Sequence, residues 1–161
     1  MATWKKVIVS GSIAELKQVT ASGKGWVWGV NSANQIYKCK KPCTGAWTQI
    51  PGGLKQVSAD DKEVWGVNNA GGIYKRPVDG SGGWTNIRGG LKHVSASGNG
   101  WIWGVNSTDN IYKCKKPCTG AWTHLRDGGR LAMVSGGKTH VYGVASNKTI
   151  WKRPIDGSGS W

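Results

Sequence analysis

Basic side chains recur at four regularly spaced places in this chain, each set starting directly after an aromatic residue. The four sets are Lys38, Lys40 and Lys41; Lys75 and Arg76; Lys113, Lys115 and Lys116; and Lys152 and Arg153. Ammonium and guanidinium groups bind phosphates and carboxylates through charge-assisted hydrogen bonds. With 22 basic and 8 acidic residues the chain has a net charge of +14, which favours anionic partners. Placed around an axis, these cations would form a ring that either contacts an anionic ligand or is a solvated rim.

Amide and acidic side chains form a second recurring group, in short polar loops. Its members are Asn31, Asn34, Asn68, Asn69, Asn106, Asp109 and Asn110. Such groups bridge the hydroxyls of a sugar, while an aromatic surface covers the C–H face of the sugar ring. Asn and Asp also favour hairpin turns, so every one of these positions has a structural alternative. Asp79 and Asp156, in the two DGSG strings, are expected to be turn residues.

Two of the 11 tryptophans stand apart from the rest. Tryptophans at repeated positions are expected to pack between units, since an indole buries a large area with one polar atom. Trp26 and Trp101 instead lie in stretches of variable length, SGKGW and SGNGW, where ligand contact is more plausible. The candidate ligand-binding residues are therefore Trp26, Asn34, Lys40, Lys41, Asn69, Arg76, Trp101, Asp109, Asn110, Lys115, Lys116 and Arg153.

The four cysteines form two identical C-x-x-P-C pairs, Cys39 with Cys43 and Cys114 with Cys118. A zinc site would require the two pairs to converge, although they lie in units expected to face away from each other. Local disulfides fit better and are typical of an oxidising or extracellular location, with reduced thiols in the cytosol as the alternative.

Catalysis finds little support in the sequence. His93, His124 and His140 occupy positions that are not equivalent between repeats, and no H-E-x-x-H string occurs. The string at residues 136–139, GGKT, resembles the end of a phosphate-binding loop, but that motif requires Gly where Ala132 stands. The sequence predicts a protein that is not an enzyme and that uses no metal or cofactor.

The elements that must position these residues are repeats. The string WGVN starts at Trp28, Trp65 and Trp103, and Tyr142 heads the variant YGVA. The next aromatic landmark always follows after nine residues, and a tryptophan follows ten residues later, whereas other intervals vary. Fixed intervals mark paired strands, and variable ones mark exposed connections. The units span about 16–50, 54–87, 91–125 and 131–161, within a single domain covering 1–161.

Each unit of about 38 residues contains four short runs rich in Val, Ile, Trp, Tyr and Thr, separated by turn residues. In the second unit these runs lie near 54–59, 64–67, 72–76 and 84–87. Four short strands make one propeller blade, so the sequence predicts an all-β propeller of four blades. Residues 2–10 are a candidate closing strand for the last blade, and pairing with a second chain is the alternative.

The strings at 27–50 and 54–87 closely resemble the tectonin repeats of horseshoe crab lectins and, more distantly, those of fish egg lectins. The resemblance implies a β-propeller lectin that recognises bacterial lipopolysaccharide and other cell-surface glycans by multivalent binding, in innate defence and agglutination. It also implies a secreted or granule-stored protein, although no signal peptide is visible in this chain. Those lectins typically carry about six repeats, whereas four are present here.

Two other functions are compatible with the sequence. A propeller that binds proteins and no sugar is the main alternative, and an apolar patch on one face of the ring would indicate it. Nucleic-acid binding is less favoured, because the basic residues are spaced by blade rather than along a continuous track. No run approaches the roughly 18 apolar residues of a membrane span, so membrane insertion is not expected. Association of identical chains remains open.

Overall fold

The computed structural model describes Thr3, Val7 and residues 15–97, 99–127 and 129–161. Blade 1 contains β1 (Leu16–Ala21), β2 (Trp26–Asn31), β3 (Ile36–Lys40) and β4 (Thr48–Ile50). Blade 2 contains β5 (Gln56–Ala59), β6 (Glu63–Val67), β7 (Ile73–Pro77) and β8 (Thr85–Ile87). Blade 3 contains β9 (His93–Ala96), β10 (Trp101–Val105), β11 (Ile111–Lys115) and β12 (Thr123–His124). Blade 4 contains β13 (Met133–Gly136), β14 (His140–Val144) and β15 (Ile150–Pro154).

Each blade is an antiparallel sheet whose strands lie in chain order. This confirms the all-β propeller with four blades, and the strands of blade 2 begin and end within two residues of the predicted runs. Within the described residues blade 4 has three strands rather than the four expected. Its predicted closing strand at 2–10 falls largely outside the residues that the structure describes. No described segment forms a helix long and apolar enough to cross a membrane.

The first strand of each blade lies nearest the propeller axis. Strand β1 packs beside β5, β5 beside β9, and β9 beside β13. Turns of all four blades line a common central cavity of about 490 Å³. No comparable packing joins β13 to β1 within the described part of the chain. The four blades therefore follow one another around an axis, and at each end of the series one blade face is not covered by another described blade.

The hydrophobic core lies between blades rather than within them. Three clusters of buried side chains join blade 1 to blade 2, blade 2 to blade 3 and blade 3 to blade 4. Trp28, Trp65 and Trp103 are fully buried in these clusters. The indole nitrogens of Trp28 and Trp103 donate to carbonyl oxygens of the next blade, at Val78 (2.8 Å) and Ile155 (3.0 Å). These tryptophans therefore pack between units, as predicted.

The glycine of the WGVN string is required by a close approach. A Cβ added to Gly66 would lie 2.5 Å from Leu54 Cδ1 and 2.8 Å from the Gln56 carbonyl oxygen. The same contact recurs at Gly104, where Leu91 Cδ1 would be 2.4 Å away. The leucine that opens each unit therefore packs directly onto the second strand, which explains why both residues repeat.

Side chains also link the inner strands of neighbouring blades. Gln18 accepts the N–H of Val57 (3.0 Å) and donates to its carbonyl oxygen (2.8 Å). Gln56 makes the same two bonds to Val94, at 3.0 and 2.8 Å. Two residues further along β5, on the same side of the strand, Ser58 Oγ accepts the N–H of Ala96 at 3.0 Å. Each inner strand thus satisfies backbone groups of the next strand through amide and hydroxyl side chains.

Candidate functional site

A cleft of about 240 Å³ opens between blades 1 and 2. It is lined by Gly52, Gly53, Leu54, Asn68, Tyr74 and Trp84. The connection from β4 to β5 contributes the two glycines, which have no side chains to fill the space. Leu54 forms the apolar floor, and the rings of Tyr74 and Trp84 form the walls.

Trp84 is held firmly in this cleft. Its indole nitrogen donates to the carbonyl oxygen of Pro51 in blade 1 (2.9 Å), and its ring meets the ring of Trp28 edge-on at 6.1 Å. The guanidinium of Arg76 lies over the same ring, 5.3 Å from its centroid. The wall of the cleft is therefore formed before any ligand arrives.

Asn68 provides the polar rim of the cleft. Its Oδ1 accepts the N–H of Gly72 at 2.8 Å, which closes the turn between β6 and β7. The Oδ1 atoms of Asn31 and Asn106 accept the equivalent backbone N–H groups, so the asparagine at this repeat position closes a turn in three blades. In blade 2 the amide also faces the cleft, where its Nδ2 can donate to a ligand oxygen.

A larger cleft of about 350 Å³ opens at the equivalent place between blades 3 and 4. It is lined by Asp127, Gly129, Arg130, Leu131, Ala145, Asn147, Thr149, Trp151, Ser160 and Trp161. Trp151 stands where Tyr74 stands in blade 2, and it is 45% exposed. Its indole nitrogen donates to Thr149 Oγ1 at 2.9 Å, which fixes the ring. Ala145 replaces the rim asparagine, and Asn147 and Thr149 supply polar groups instead.

Blade 3 differs at the corresponding aromatic residue. The ring of Tyr112 is stacked on His124, with centroids 4.8 Å apart, whereas Asn86 pairs with Tyr74 in blade 2. The face of the blade 3 tyrosine is therefore covered by its own sheet.

Sequence reasoning missed both clefts, because it expected the landmark tryptophans, Trp84, Trp151 and Trp161 among them, to pack between units and gave Tyr74 no role. The clefts form between two units, so no single repeat contains one. The pair Gly52-Gly53 before Leu54 leaves the connection without side chains, but Gly89-Gly90 precedes Leu91 in the same way, so the sequence alone does not locate the clefts.

The structure divides the predicted ligand residues between opposite ends of the blades. Successive antiparallel strands reverse direction, so the β2–β3 and β3–β4 connections and their equivalents leave from opposite ends. The residues Trp26, Lys40, Lys41, Trp101, Lys115 and Lys116 lie at the end that carries the disulfide loops. The residues Asn34, Asn69, Asp109 and Asn110 lie at the other end. The predicted set is therefore two groups.

At the disulfide end, Trp26 is brought together with lysines. The Nζ atoms of Lys38 and Lys40 lie 4.5 and 5.5 Å from the centre of its ring. In blade 3, Lys115 and Lys113 lie 4.7 and 5.0 Å from the ring of Trp101. Both tryptophans are half-buried, and lysines cover their rings. They position cations and do not present an open surface to a sugar.

Both disulfides have the predicted local pairing. Cys39 is bonded to Cys43 and Cys114 to Cys118, with Cα atoms 5.4 and 5.5 Å apart. Each bond closes the loop between the third and fourth strands of its blade. Lys41, inside the first loop, is exposed to solvent.

Lys116, inside the second disulfide loop, is not free to meet a ligand. Its Nζ forms ion pairs with Asp60 and, at 3.0 Å, with Glu63 of blade 2. Burial acts to raise the pKa of Glu63, but hydrogen bonds from Lys116 and Lys75 outweigh it, so the pKa lies below its usual value. Lys116 therefore joins two blades, and we leave it out of the candidate site.

Arg76 and Arg153 are buried rather than exposed. Arg76 donates to the carbonyl oxygens of Gly80 (2.6 Å) and Gly82 in its own DGSG loop, and burial lowers its pKa. Arg153 pairs with Asp127 and lies over the ring of Trp161 at 5.7 Å. Both guanidiniums hold loops in place, so they are also left out of the candidate site.

The expected ring of ligand-binding cations needs the same correction. Lys38, Lys75 and Lys113 are half-buried and donate to carbonyl oxygens of the following blade, at Asp79, Pro117 (2.8 Å) and Asp156 respectively. Asp79 and Asp156 are turn residues, as expected, because each accepts the N–H of the serine two positions later at 2.9 Å. The exposed cations that remain of the predicted ligand set are Lys40, Lys41 and Lys115.

At the opposite end, the turn interpretation holds for most of the predicted residues. Asn34 and Asp109 have φ angles of 63° and 66°, the left-handed region that Asn and Asp tolerate. Asn34 accepts from Lys17 at 2.8 Å. A hydrogen bond from Lys92, with a second from Ser146, lowers the pKa of Asp109. Asn110 donates to Thr108 at 3.1 Å, and Asn69 is exposed.

Comparison with protein families decides which family these repeats form. The family model described as the Tectonin domain matches residues 2–160. The chain belongs to the tectonin family. A comparison with curated protein sequences finds no match. The tectonin propeller is a non-enzymatic kind of domain.

Solved structures share the fold of this tectonin propeller at low sequence identity. Human WBSCR16 is 9% identical, with 93% of this chain and 50% of that chain covered and a TM-score of 0.71. The computationally designed Ika4 protein is 14% identical, with 95% and 99% covered and a TM-score of 0.68. Yeast RCC1 (Prp20), solved with Kap60 bound, is 11% identical, with 96% and 48% covered and a TM-score of 0.66. The tectonin chain thus spans about half the length of the human and yeast chains.

Proposed function

We propose that this tectonin propeller is a lectin that binds cell-surface glycans, bacterial lipopolysaccharide among them, with sugar rings seated in the clefts between blades. The observation that carries the proposal is the repetition of one cleft at two equivalent places, between blades 1 and 2 and between blades 3 and 4. Each has aromatic walls, a leucine floor and a few polar groups at the rim. Concave, mostly apolar surfaces with few polar groups are typical of small-ligand sites.

The two clefts suit sugars because of how their groups are arranged. The aromatic walls, Tyr74 with Trp84 and Trp151 with Trp161, offer planar surfaces to the C–H face of a sugar ring. The rim groups, Asn68 in one cleft and Asn147 with Thr149 in the other, can meet hydroxyls. Two weak sites on one chain, presented to a repetitive surface, gain on the order of a hundredfold in avidity.

The exposed lysines add attraction for acidic glycans. Lys40, Lys41 and Lys115 lie at the disulfide end and belong to a chain with a net charge of +14. The rim residues Asn68 and Asn147 lie in turns at the other end of the blades, so these lysines act at long range, raising the association rate and the salt sensitivity rather than defining the ligand. We therefore assign sugar recognition to the clefts and attraction to phosphates and acidic sugars to these lysines. The two disulfides are compatible with a secreted location, which we include in the proposal.

The test is binding to immobilised lipopolysaccharide and to a neutral glycan array, at low and high salt, with free sugar as competitor. The cleft variant carries Tyr74→Ala and Trp151→Ala, and the matched charge variant carries Lys40→Ala, Lys41→Ala and Lys115→Ala. At high salt, the binding that free sugar competes is expected to be about tenfold or more weaker in the cleft variant than in the wild type. This corresponds to a loss of roughly 1.4 kcal/mol in binding free energy. The charge variant is expected to lose only the salt-sensitive part.

Two results contradict the lectin proposal. If wild-type binding disappears at high salt and ignores free sugar, the chain acts as a nonspecific binder of anions. If the cleft variant binds like the wild type while remaining folded by circular dichroism, the clefts are not the sugar sites.

A dedicated protein-binding groove is less favoured by the structure. Most of the large hydrophobic side chains exposed among the described residues lie on blade 4, namely Met133, Tyr142, Ile150 and Trp151. The counterparts of Tyr142 and Ile150 in the other blades are fully buried by the next blade. This apolar surface therefore matches a blade-to-blade contact.

A further inference from the structure

Blade 4 exposes hydrophobic side chains on the side that faces away from blade 3. The equivalent side of blades 1, 2 and 3 is buried by the blade that follows. Tyr142 is 48% exposed and Ile150 is 75% exposed. At the same repeat positions in blade 2, Trp65 and Ile73 are both 0% exposed, because blade 3 covers them. We call the surface formed by Met133, Ser135, Tyr142 and Ile150 the trailing face.

The other end of the series leaves the complementary surface uncovered. Val19, on β1, is 58% exposed, whereas its equivalents Val57, Val94 and Val134 are at most 1% exposed. Those three valines are covered by the blade that precedes them. We call the surface formed by Val19, Ala21 and the exposed residues 40–42 of the Cys39–Cys43 loop the leading face; the two cysteines themselves are 7% exposed.

The contact between blades 2 and 3 shows how these two faces fit each other. There, Gln56 and Ser58 bond the backbone of Val94 and Ala96 across the inner strands. Trp65 lies in one buried cluster with the Cys114–Cys118 disulfide. Outside that cluster, Lys75 donates to the carbonyl oxygen of Pro117 at 2.8 Å.

Blades 4 and 1 are of the same two types as blades 2 and 3. Blades 2 and 4 carry the strings KRPVDGSG and KRPIDGSG, whereas blades 1 and 3 both carry CKKPCTG. By this equivalence, if blade 1 of another copy followed blade 4, Ser135 would face Ala21 as Ser58 faces Ala96. Tyr142 would face the Cys39–Cys43 loop as Trp65 faces the Cys114–Cys118 disulfide, and Lys152 would face Pro42 as Lys75 faces Pro117. If blade 1 of another copy follows blade 4, a CKKPC blade again follows a DGSG blade, as blade 3 follows blade 2.

We propose that a second copy of this chain covers both faces, with the trailing face of each copy packed against the leading face of the other. A head-to-tail contact gives a closed ring only when the rotation between copies closes, and otherwise gives filaments. The four blades match about half the length of the human and yeast chains, so two copies have about the length of one such chain and are expected to complete one ring. The contact continues an interface that the chain already contains three times.

Two features of the template are absent from this contact. In blade 4, Met133 replaces Gln56, so the two side-chain bonds to the next inner strand cannot form. Gly137 and His140 replace Asp60 and Glu63, so blade 4 has no carboxylates equivalent to those that pair with Lys116. Apolar burial at Val19, Met133, Tyr142 and Ile150 must therefore provide most of the attraction. Because each copy carries a net charge of +14, the assembly is expected to be stronger at higher salt.

The test measures the mass of the 161-residue chain by light scattering during gel filtration at two salt concentrations. The wild type is expected at twice the chain mass of 17.2 kDa. Ile150→Lys blocks the trailing face, Val19→Lys blocks the leading face, and each variant alone is expected to be monomeric. A 1:1 mixture of the two is expected to return to twice the chain mass, because one intact contact remains between a free leading face and a free trailing face.

The control is Thr85→Lys, an exposed position on β8 outside both faces, which is expected to remain dimeric. Circular dichroism checks that the variants are folded. A monomeric wild type at about 100 μM and high salt overturns the proposal, as does a mixture that stays monomeric. A mass that grows continuously with concentration would show that the faces bind without closing a ring, which also overturns it.

Discussion

Blades 2 and 4 have nearly the same loop sequence but very different burial. Trp65 and Ile73 of blade 2 are completely buried, whereas Tyr142 and Ile150 of blade 4 are 48% and 75% exposed. In blade 2 the covering atoms come from blade 3, including Leu91 and Ile102. Burial in this propeller is therefore decided by the neighbouring blade and not by the sequence of the blade itself.

The comparison also explains how the chain gains stability. The buried clusters lie between sheets, so a single blade has no complete core and each added blade buries the face of the one before. A substitution at one repeat position is expected to have a cost that depends on which blade follows it.

The largest difference between blades 2 and 4 is expected when the landmark aromatic residue of each blade is replaced by alanine. Trp65→Ala is expected to reduce the free energy of unfolding by about 3–5 kcal/mol, since it leaves a cavity between blades 2 and 3. Tyr142→Ala is expected to cost about 1 kcal/mol or less. Both are measured by urea denaturation in a Val19→Lys background, which keeps a second copy away from the trailing face. Equal costs would show that blade 4 is covered in solution by something other than a second copy.

Much of the fold followed from spacing, because the two constant intervals correspond to paired strands. The candidate site followed less well, since its contacts cross between units. Lys41 and Lys116 have the same CKKPC surroundings, yet among the described residues only Lys116 has acidic partners, which the preceding blade supplies at Asp60 and Glu63. No pattern within one repeat shows this, and the clefts at Tyr74 and Trp151 were missed for the same reason.

A second comparison concerns the inner strands, where Gln18 and Gln56 bond the next blade and His93 occupies the equivalent position in blade 3. No hydrogen bond joins His93 to Val134 in the described part of the chain, and its Nδ1 is buried without a partner there. Burial, with the positive charges of Lys92 and Lys55, lowers the pKa of His93 from 6.5 to about 4. The imidazole therefore stays neutral in the folded protein at neutral pH.

This histidine is expected to make the protein sensitive to acid. The unfolded chain takes up the proton below about pH 6.5 and the folded chain only below about pH 4, so stability present above pH 6.5 is lost as the pH falls towards 4. The loss is up to about 3 kcal/mol, at 1.36 kcal/mol per pKa unit. His93→Gln is expected to remove this dependence and, by restoring the two bonds that Gln56 makes, to add about 1 kcal/mol at pH 7.

The measurement is the urea midpoint at several pH values for the wild type, His93→Gln and Gln56→His. The third variant is the matched control, because it places a histidine at the preceding junction and is expected to steepen the acid loss. A His93→Gln protein that keeps the wild-type loss between pH 6.5 and 4 would show that other groups govern acid stability.

The smallest expected effect separates the two disulfide loops. Lys116→Ala is expected to destabilise the protein by about 1–3 kcal/mol near pH 7, because the Asp60 carboxylate, 5% exposed, loses its cation and keeps only its backbone N–H donors. Lys41→Ala is expected to stay within about 0.5 kcal/mol, since that side chain is exposed. The pKa of Glu63 is lowered in the fold by Lys116 and Lys75, so its share of the stability exists above its unfolded pKa and is lost as the pH falls through the folded value. The difference between the two variants is therefore expected to shrink in acid, and a difference that is constant from pH 7 to pH 3 would show that Lys116 acts through packing rather than charge.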